Sequence, residues 1–230
     1  MIWLRHTARW LGTQLLRIAA EPTAAASSDD QSHAQGSSAA SAMNIYIISG
    51  NAGPLRQGEI LSDVIQRRRS FQSLTLAGAQ IEEIRHPYCV IATQDCDLEQ
   101  DHAARNGDVT APDKMIPNVL LLQAVTVAEL IAGLPKGRDI LKRVIGNRDD
   151  RYQLFEPVVA ANDALGQGLP ALGVDFKRYF TVPMDELYLQ LGSDARRRTQ
   201  LNSNYLEHFN QRFSGYLSRV ALLREHRIEQ

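Results

Sequence analysis

The chain has 230 residues, of which 44% are hydrophobic and 22% charged, a composition that excludes wholesale disorder and fibrous repeats. Its 25 basic and 26 acidic residues give a net charge of −1, so no overall positive field would gather nucleic acid. No apolar run reaches the about 20 residues of a membrane-spanning helix. The two cysteines, Cys89 and Cys96, are too few for a disulfide scaffold and favour a reducing, cytoplasmic compartment.

Residues 1–42 differ in composition from the rest of the chain. Positions 1–20 carry Arg5, Arg9 and Arg17 but no acidic residue, whereas residues 22–42 are a low-complexity run of mostly Ala and Ser. Such a run cannot bury enough apolar area to offset its ordering entropy. We expect a disordered extension, a transit-type peptide, or a stretch that precedes a true start at Met43. The fold is therefore sought in residues 43–230.

Short strand-like segments separated by turn formers follow. Residues 88–93 and 118–125 are continuous apolar runs, which predict strands buried on both faces. Shorter or alternating patterns predict further strands at 44–48, 58–64, 151–155 and 176–182. The sequence after Met43 is therefore rich in β-structure.

Helices are predicted between and after these strands. Thr126 and Glu129 have the spacing of a capping box, and a short helix should follow before Pro135. Residues 138–145 and 185–191 predict two more short helices. An apolar stripe that repeats every three or four residues from Leu201 to Val220 predicts a long C-terminal helix.

Together these elements predict a mainly β fold with added helices, in the α+β class. The expected architecture is an SH3-like, partly open β-barrel over residues 43–192, with helical insertions, on which a C-terminal helix within 193–230 packs. A parallel α/β sheet is disfavoured because the helices do not alternate regularly with the strands.

The segment 84–99 is the strongest candidate for chemistry, because a buried strand releases polar residues at its exit. Cys96 is a candidate nucleophile, although Asp95 and Asp97 flank it and disfavour the thiolate. The alternating acidic residues also suggest a metal site, but the segment lacks the glycine and the glutamate that a calcium-binding loop has at fixed positions. In the remaining interpretation this segment is structural, and the carboxylates of Asp95 and Asp97 accept hydrogen bonds from backbone N–H groups in a turn. No motif for a cofactor is present.

Four short motifs resemble the PemK/MazF-like, toxin-type family of SH3-like barrels. They are Gly58-Glu59-Ile60, the Arg-Pro-led strand from Arg85 to Ala92, the strand from Val119 to Thr126, and the late segment from Val174 to Pro183. The resemblance covers residues 44–192, with insertions at 62–82, 101–117 and 127–170.

The resemblance implies a metal-independent endoribonuclease, or an RNA-binding relative, with RNA and a cognate antitoxin as partners. Carried over by position, Arg85 would contact the scissile phosphate and Thr126 would supply the hydroxyl. A guanidinium offers a planar fork to the charge that builds on phosphate oxygens during cleavage. Since arginine is a poor base, Asp95 or His86 would have to take the proton.

This sequence departs from the family pattern at two of these positions. His86 separates Arg85 from Pro87, which turns the arginine toward the other face of its strand, and Thr126 doubles as a helix N-cap. Two further hypotheses therefore stay open: a non-catalytic protein-interaction module that keeps the barrel, and a Cys-dependent hydrolase centred on Cys96.

Overall fold

A computed structural model of the protein describes residues 44–50, 52–71, 79–107 and 111–218, and the expectations for residues 1–42 lie outside these ranges. The described residues form seven strands and five α-helices. The strands are β1 (Tyr46–Ile48), β2 (Glu59–Phe71), β3 (Ala79–Ile91), β4 (Asn118–Thr126), β5 (Tyr152–Phe155), β6 (Leu172–Pro183) and β7 (Arg196–Leu201). The helices are α1 (Asp95–Asn106), α2 (Val127–Ala132), α3 (Gly137–Ile145), α4 (Met184–Leu191) and α5 (Ser203–Leu217).

The seven strands form one sheet in the order β1-β7-β2-β3-β4-β6-β5. Every pairing is antiparallel, and no ladder among the described strands joins the two edge strands, β1 and β5. The prediction of an α+β fold is therefore confirmed. The sheet itself is open, so backbone pairing does not close it into the expected barrel.

Helices cover both faces of the central strands. On one face, Ile60 and Val90 pack with Phe209 and Phe213 of α5. On the other face, Cys89 belongs to a second apolar cluster that includes Leu98 of α1 and Met184 and Leu187 of α4. This burial on both sides explains why β3 and β4 end in continuous apolar runs rather than alternating ones.

The hairpin of β2 and β3 extends beyond the rest of the sheet. β7 pairs with β2 only as far as Ser62, and β4 pairs with β3 only from Tyr88 onward. We call the part beyond, residues 64–71 and 79–86, the hairpin arm. Asp63 stands at its base with a positive φ of 62°, a backbone conformation that is uncommon for a residue other than glycine.

Two elements differ from the sequence expectations. Residues 95–106 form α1 rather than a strand-exit loop. Residues 196–201 form β7, so Leu201 lies in the sheet and the C-terminal helix begins only at Ser203. None of the helices in the described ranges has the length and apolar character needed to cross a membrane.

Candidate functional site

Arg85, the predicted phosphate-binding residue, lies on the hairpin arm. Its side chain is exposed and its Nη1 lies 3.4 Å from Oδ1 of Asp63, a long and solvent-screened ion pair. It lies opposite Ile65 of β2. Arg85 therefore remains accessible, with no rigid neighbour to fix its guanidinium.

Asp95 lies beyond the C-terminal end of β3, in the first turn of α1. Its Oδ1 accepts a 2.7 Å hydrogen bond from the backbone N–H of Gln57, which ties α1 to the loop before β2. Arg85 and Ile91 alone are about 20 Å apart along the extended strand. The structure therefore does not bring Arg85 and Asp95 into one site.

Thr126 forms the predicted capping box at the start of α2. Its Oγ1 donates to Oε2 of Glu129 at 2.7 Å and accepts from the Glu129 N–H at 3.2 Å. The Thr126 backbone N–H donates to the same Oε2 at 2.9 Å. These hydrogen bonds lower the pKa of Glu129, and the bond from the Thr126 hydroxyl has the largest effect. The Thr126 hydroxyl is therefore already hydrogen-bonded to the carboxylate of Glu129.

Cys96 and Asp97 follow Asp95 in the first turn of α1, and both are exposed. The Cys96 Sγ lies 3.7 Å from Oε1 of Gln94 and 3.7 Å from Oδ1 of Asp97. Both contacts are with side-chain oxygen atoms, so neither provides an imidazole base for the thiol. Within the described ranges, no three His, Cys, Asp or Glu side chains are grouped to hold a metal ion.

His86 is the predicted site residue that lies in a pocket. Its side chain is 4% exposed and its ring stacks on Phe180, with centroids 4.0 Å apart. Nε2 lies 3.2 Å from Oε1 of Gln66, while Nδ1 is buried and has no hydrogen-bond partner among the described residues. Burial lowers the pKa of His86, which favours the neutral ring.

His86 borders the first of two adjacent cavities that together we call the two-cavity groove. The arm cavity, of about 320 Å³, is lined by Gln66, Arg68, Ile84, His86, Gln123, Arg178, Tyr179 and Phe180. The helix cavity, of about 260 Å³, is lined by Gln123, Val125, Glu129, Leu130, Gly133, Leu134, Gly173, Asp175 and Arg178. Gln123 and Arg178 line both cavities, so these two side chains stand at the junction.

Sheet geometry creates this groove. Gln123 is paired with Cys89 and so lies on the sheet face that α1 and α4 cover further along. A register shift between Leu122 and Ala124 increases the local twist, as bulges do, where β4 leaves β3. At the far wall, α2 packs closely on β6, because a Cβ on Gly173 would lie only 2.6 Å from Cδ2 of Leu130.

Comparison of the sequence with protein-family models, with curated proteins and with solved structures gives no match. The resemblance to toxin-type barrels therefore stays a prediction, and the site is judged on its own geometry.

Arg178 is the cation at the centre of the groove. It is exposed and enters none of the hydrogen bonds and ion pairs formed within the described part of the chain. Its charge helps to lower the pKa of the neighbouring Asp175, but the hydrogen bonds to that carboxylate come from Arg151, whose Nε donates to Oδ1 at 2.8 Å. In the arm cavity Arg68 is paired with Glu82 at 3.0 Å. Arg178 thus offers to a ligand a guanidinium whose N–H groups bind no partner among the described residues.

The arginine triplet 196–198, a basic cluster in the sequence, serves the fold instead. Arg198 donates through Nε and Nη2 to the two carboxylate oxygens of Asp163, each at 2.8 Å. Arg197 binds the buried Glu59 in the same forked manner. The arginine triplet is conspicuous in the sequence, whereas Arg178 follows Lys177 in a strand pattern that no motif marks.

Proposed function

We propose that the protein binds single-stranded RNA in the two-cavity groove. The observation that carries this proposal is the guanidinium of Arg178 at the junction of the two cavities, which forms no hydrogen bond with the described residues, since arginine forks match phosphate oxygens. The amide of Gln123 lines the same groove and can both donate and accept, as recognition of base edges requires, while Gln66, whose Oε1 contacts His86, can add an N–H donor.

An aromatic surface beside the arginine supports the same proposal. Tyr179 is 52% exposed and lies next to Arg178 in β6. Base stacking on exposed aromatic side chains adds about 1–3 kcal/mol per base and tolerates any sequence. Unpaired bases of a single strand can reach such a platform, whereas stacked bases in a duplex cannot.

We further propose that the open sheet curls in the manner of an SH3-like, toxin-type barrel. Two contacts between the opposite edges support this proposal. The Tyr46 hydroxyl donates to the Glu156 carbonyl at 2.6 Å, and Nδ2 of Asn162 donates to Oδ1 of Asn44 at 2.9 Å. Side chains thus bridge the gap that backbone pairing leaves.

Our proposal is RNA binding and not cleavage by Arg85, Thr126 and Asp95. Arg85 lies midway along β3 whereas Asp95 lies beyond its C-terminal end in α1, and the Thr126 hydroxyl is bonded to Glu129. Among the groove residues, the buried Nδ1 of His86 is screened from a 2′-hydroxyl. General base catalysis needs hydrogen-bond reach to the proton, which none of these groups supplies.

The test is fluorescence anisotropy with a labelled single-stranded oligouridylate at several salt concentrations. We expect Arg178→Gln to weaken binding by about 1.5–3 kcal/mol, the usual contribution of a charged hydrogen bond, and to reduce the salt slope by about 1. Lys114→Gln, which removes an exposed charge on a 3₁₀ turn, is the matched control and should leave affinity unchanged. Absence of wild-type binding at low salt, or an Arg178→Gln variant that binds like wild type, would overturn the proposal.

A second candidate, a protein-interaction module, is favoured by the edge of the hairpin arm. From Ala79 to Pro87, β3 pairs with β2 alone in the described part of the chain, and Ile81 is 76% exposed. An open edge of this kind accepts an added strand from a partner. Such a partner would protect the outward-facing amides of Ile81 and Glu83 from hydrogen exchange, whereas RNA in the groove would leave them exchanging.

A further inference from the structure

The helix cavity has the size and walls of a site for one flat ring system. Its volume of about 260 Å³ lies just below the roughly 300–1,000 Å³ of pockets that enclose drug-sized ligands. Val125, Leu130 and Leu134 supply apolar walls, and Gly173 adds a stretch of bare backbone. Apolar walls of this kind accept the faces of a nucleobase and leave its edge to polar groups.

The polar groups of this cavity have a defined chemistry. Glu129 presents a carboxylate whose Oε2 takes both hydrogen bonds from Thr126, while Oε1 accepts none from the described residues. The low pKa of Glu129 keeps the group ionised, so it only accepts hydrogen bonds. The amide of Gln123, also without a partner in the described ranges, can donate as well as accept.

We propose that the helix cavity binds a guanine base of the single-stranded RNA and that Glu129 determines this specificity, an inference that rests on the proposed function. Guanine presents two adjacent donors, N1–H and the N2 amine, beside the acceptor O6. Oε1 of Glu129, the oxygen that Thr126 does not occupy, accepts from the two adjacent donors, and the amide N–H of Gln123 donates to O6. The phosphate next to this nucleotide then meets Arg178 at the junction.

The other three bases fit this arrangement less well. Cytosine and adenine each place a ring-nitrogen lone pair beside their amine, and this lone pair faces a carboxylate oxygen without a proton between them. Uracil offers one N–H between two carbonyl oxygens. Unpaired acceptors in contact repel one another and lose their hydration, so these bases bind at the helix cavity with lower affinity than guanine.

The experiment compares labelled oligouridylates that carry one central guanosine, inosine, adenosine or uridine. For the wild-type protein we expect the guanosine oligonucleotide to bind about tenfold more tightly than the all-uridine one, a typical discrimination for a bidentate contact. Inosine lacks the N2 amine and should fall between them. Glu129→Gln keeps a residue type that suits the capping box, so α2 should remain folded, which thermal unfolding would verify.

In Glu129→Gln the ratio of guanosine to uridine affinity should fall from about tenfold toward one. Glu99→Gln, which alters an exposed glutamate of α1, should keep the wild-type ratio. If the wild-type protein binds every oligonucleotide equally, or if Glu129→Gln retains the preference, the guanine site is wrong while RNA binding stands. If no oligonucleotide binds at all, the proposed function itself fails.

Discussion

Gln190 of α4 pairs with the backbone of Ile65 as a neighbouring strand would. Its Nε2 donates to the Ile65 carbonyl at 2.8 Å, and its Oε1 accepts from the Ile65 N–H at 2.8 Å. The pairing of β7 with β2 has ended at Ser62, so this side chain satisfies the first backbone groups beyond it. The arm that forms one wall of the groove is therefore fixed to α4 at its base.

Gln190→Glu should destabilise the protein by about 1–3 kcal/mol, the cost of leaving a buried polar group unsatisfied. One carboxylate oxygen would still accept from the Ile65 N–H, but the other would face the Ile65 carbonyl without a proton. Urea unfolding measures the loss. Leu189→Ala, at a position that is 76% exposed, is the neighbouring control and should change stability by no more than about 0.5 kcal/mol. Equal stabilities of the two variants would contradict this role of Gln190.

Asp163→Asn should be the most destabilising of the single changes considered. Asp163 is 4% exposed and accepts from Arg198 and from the backbone N–H groups of Leu165, Gln167 and Gly168. The asparagine would leave the guanidinium of Arg198 buried and uncompensated, which costs about 3–5 kcal/mol. Thermal or urea unfolding would show it, and Glu82→Gln at an exposed pair should cost less than about 1 kcal/mol. Similar losses in both variants would argue against this buried pair.

Thr126→Ala tests whether this threonine caps a helix. We expect a loss of about 1 kcal/mol in the free energy of unfolding, typical for an N-cap, and little change for Thr126→Ser, which retains a hydroxyl. The pKa of Glu129, followed by NMR titration, should rise in Thr126→Ala because the hydroxyl bond that lowers it is gone. An unchanged pKa would mean that the capping box does not hold the carboxylate in place.

The sequence predicted those elements whose signals are local. The capping box at Thr126 and the apolar runs of β3 and β4 each lie within a few residues, and the structure has them. The strand β7 was missed because its arginines look solvent-exposed until Glu59 and Asp163, each more than thirty positions away, are brought against them. Such long-range pairing leaves no periodic pattern in a single sequence.

The site shows the same division between local and long-range information. His86 could be named in advance because it interrupts an Arg-Pro strand start, but its burial comes from Phe180 of β6. Arg178 and Gln123 were missed because neither belongs to a recognisable motif: Gln123 is a lone polar residue in an apolar run, and Arg178 follows Lys177 in a late strand. Helix α1 was overlooked since it buries only Leu98, Asp101 and Ala104, too few for an apolar stripe.

His86 should make the stability of the protein depend on pH. Burial lowers its pKa in the folded state below the ordinary value of about 6.5 that the unfolded chain retains. Between these two values the unfolded state binds more protons, so the free energy of unfolding falls as the pH drops below about 6.5. One such group changes stability by at most about 1.4 kcal/mol per pH unit. Urea unfolding at pH 7.5 and pH 5.5 measures the difference.

His86→Phe should remove this dependence, because phenylalanine keeps a ring against Phe180 but cannot take up a proton. His208→Gln, at an exposed position of α5, should keep the wild-type dependence. If His86→Phe lost as much stability between pH 7.5 and pH 5.5 as the wild type, the proton would have to be taken up elsewhere. The buried ring of His86 would then not be the group that makes the stability of the protein depend on pH.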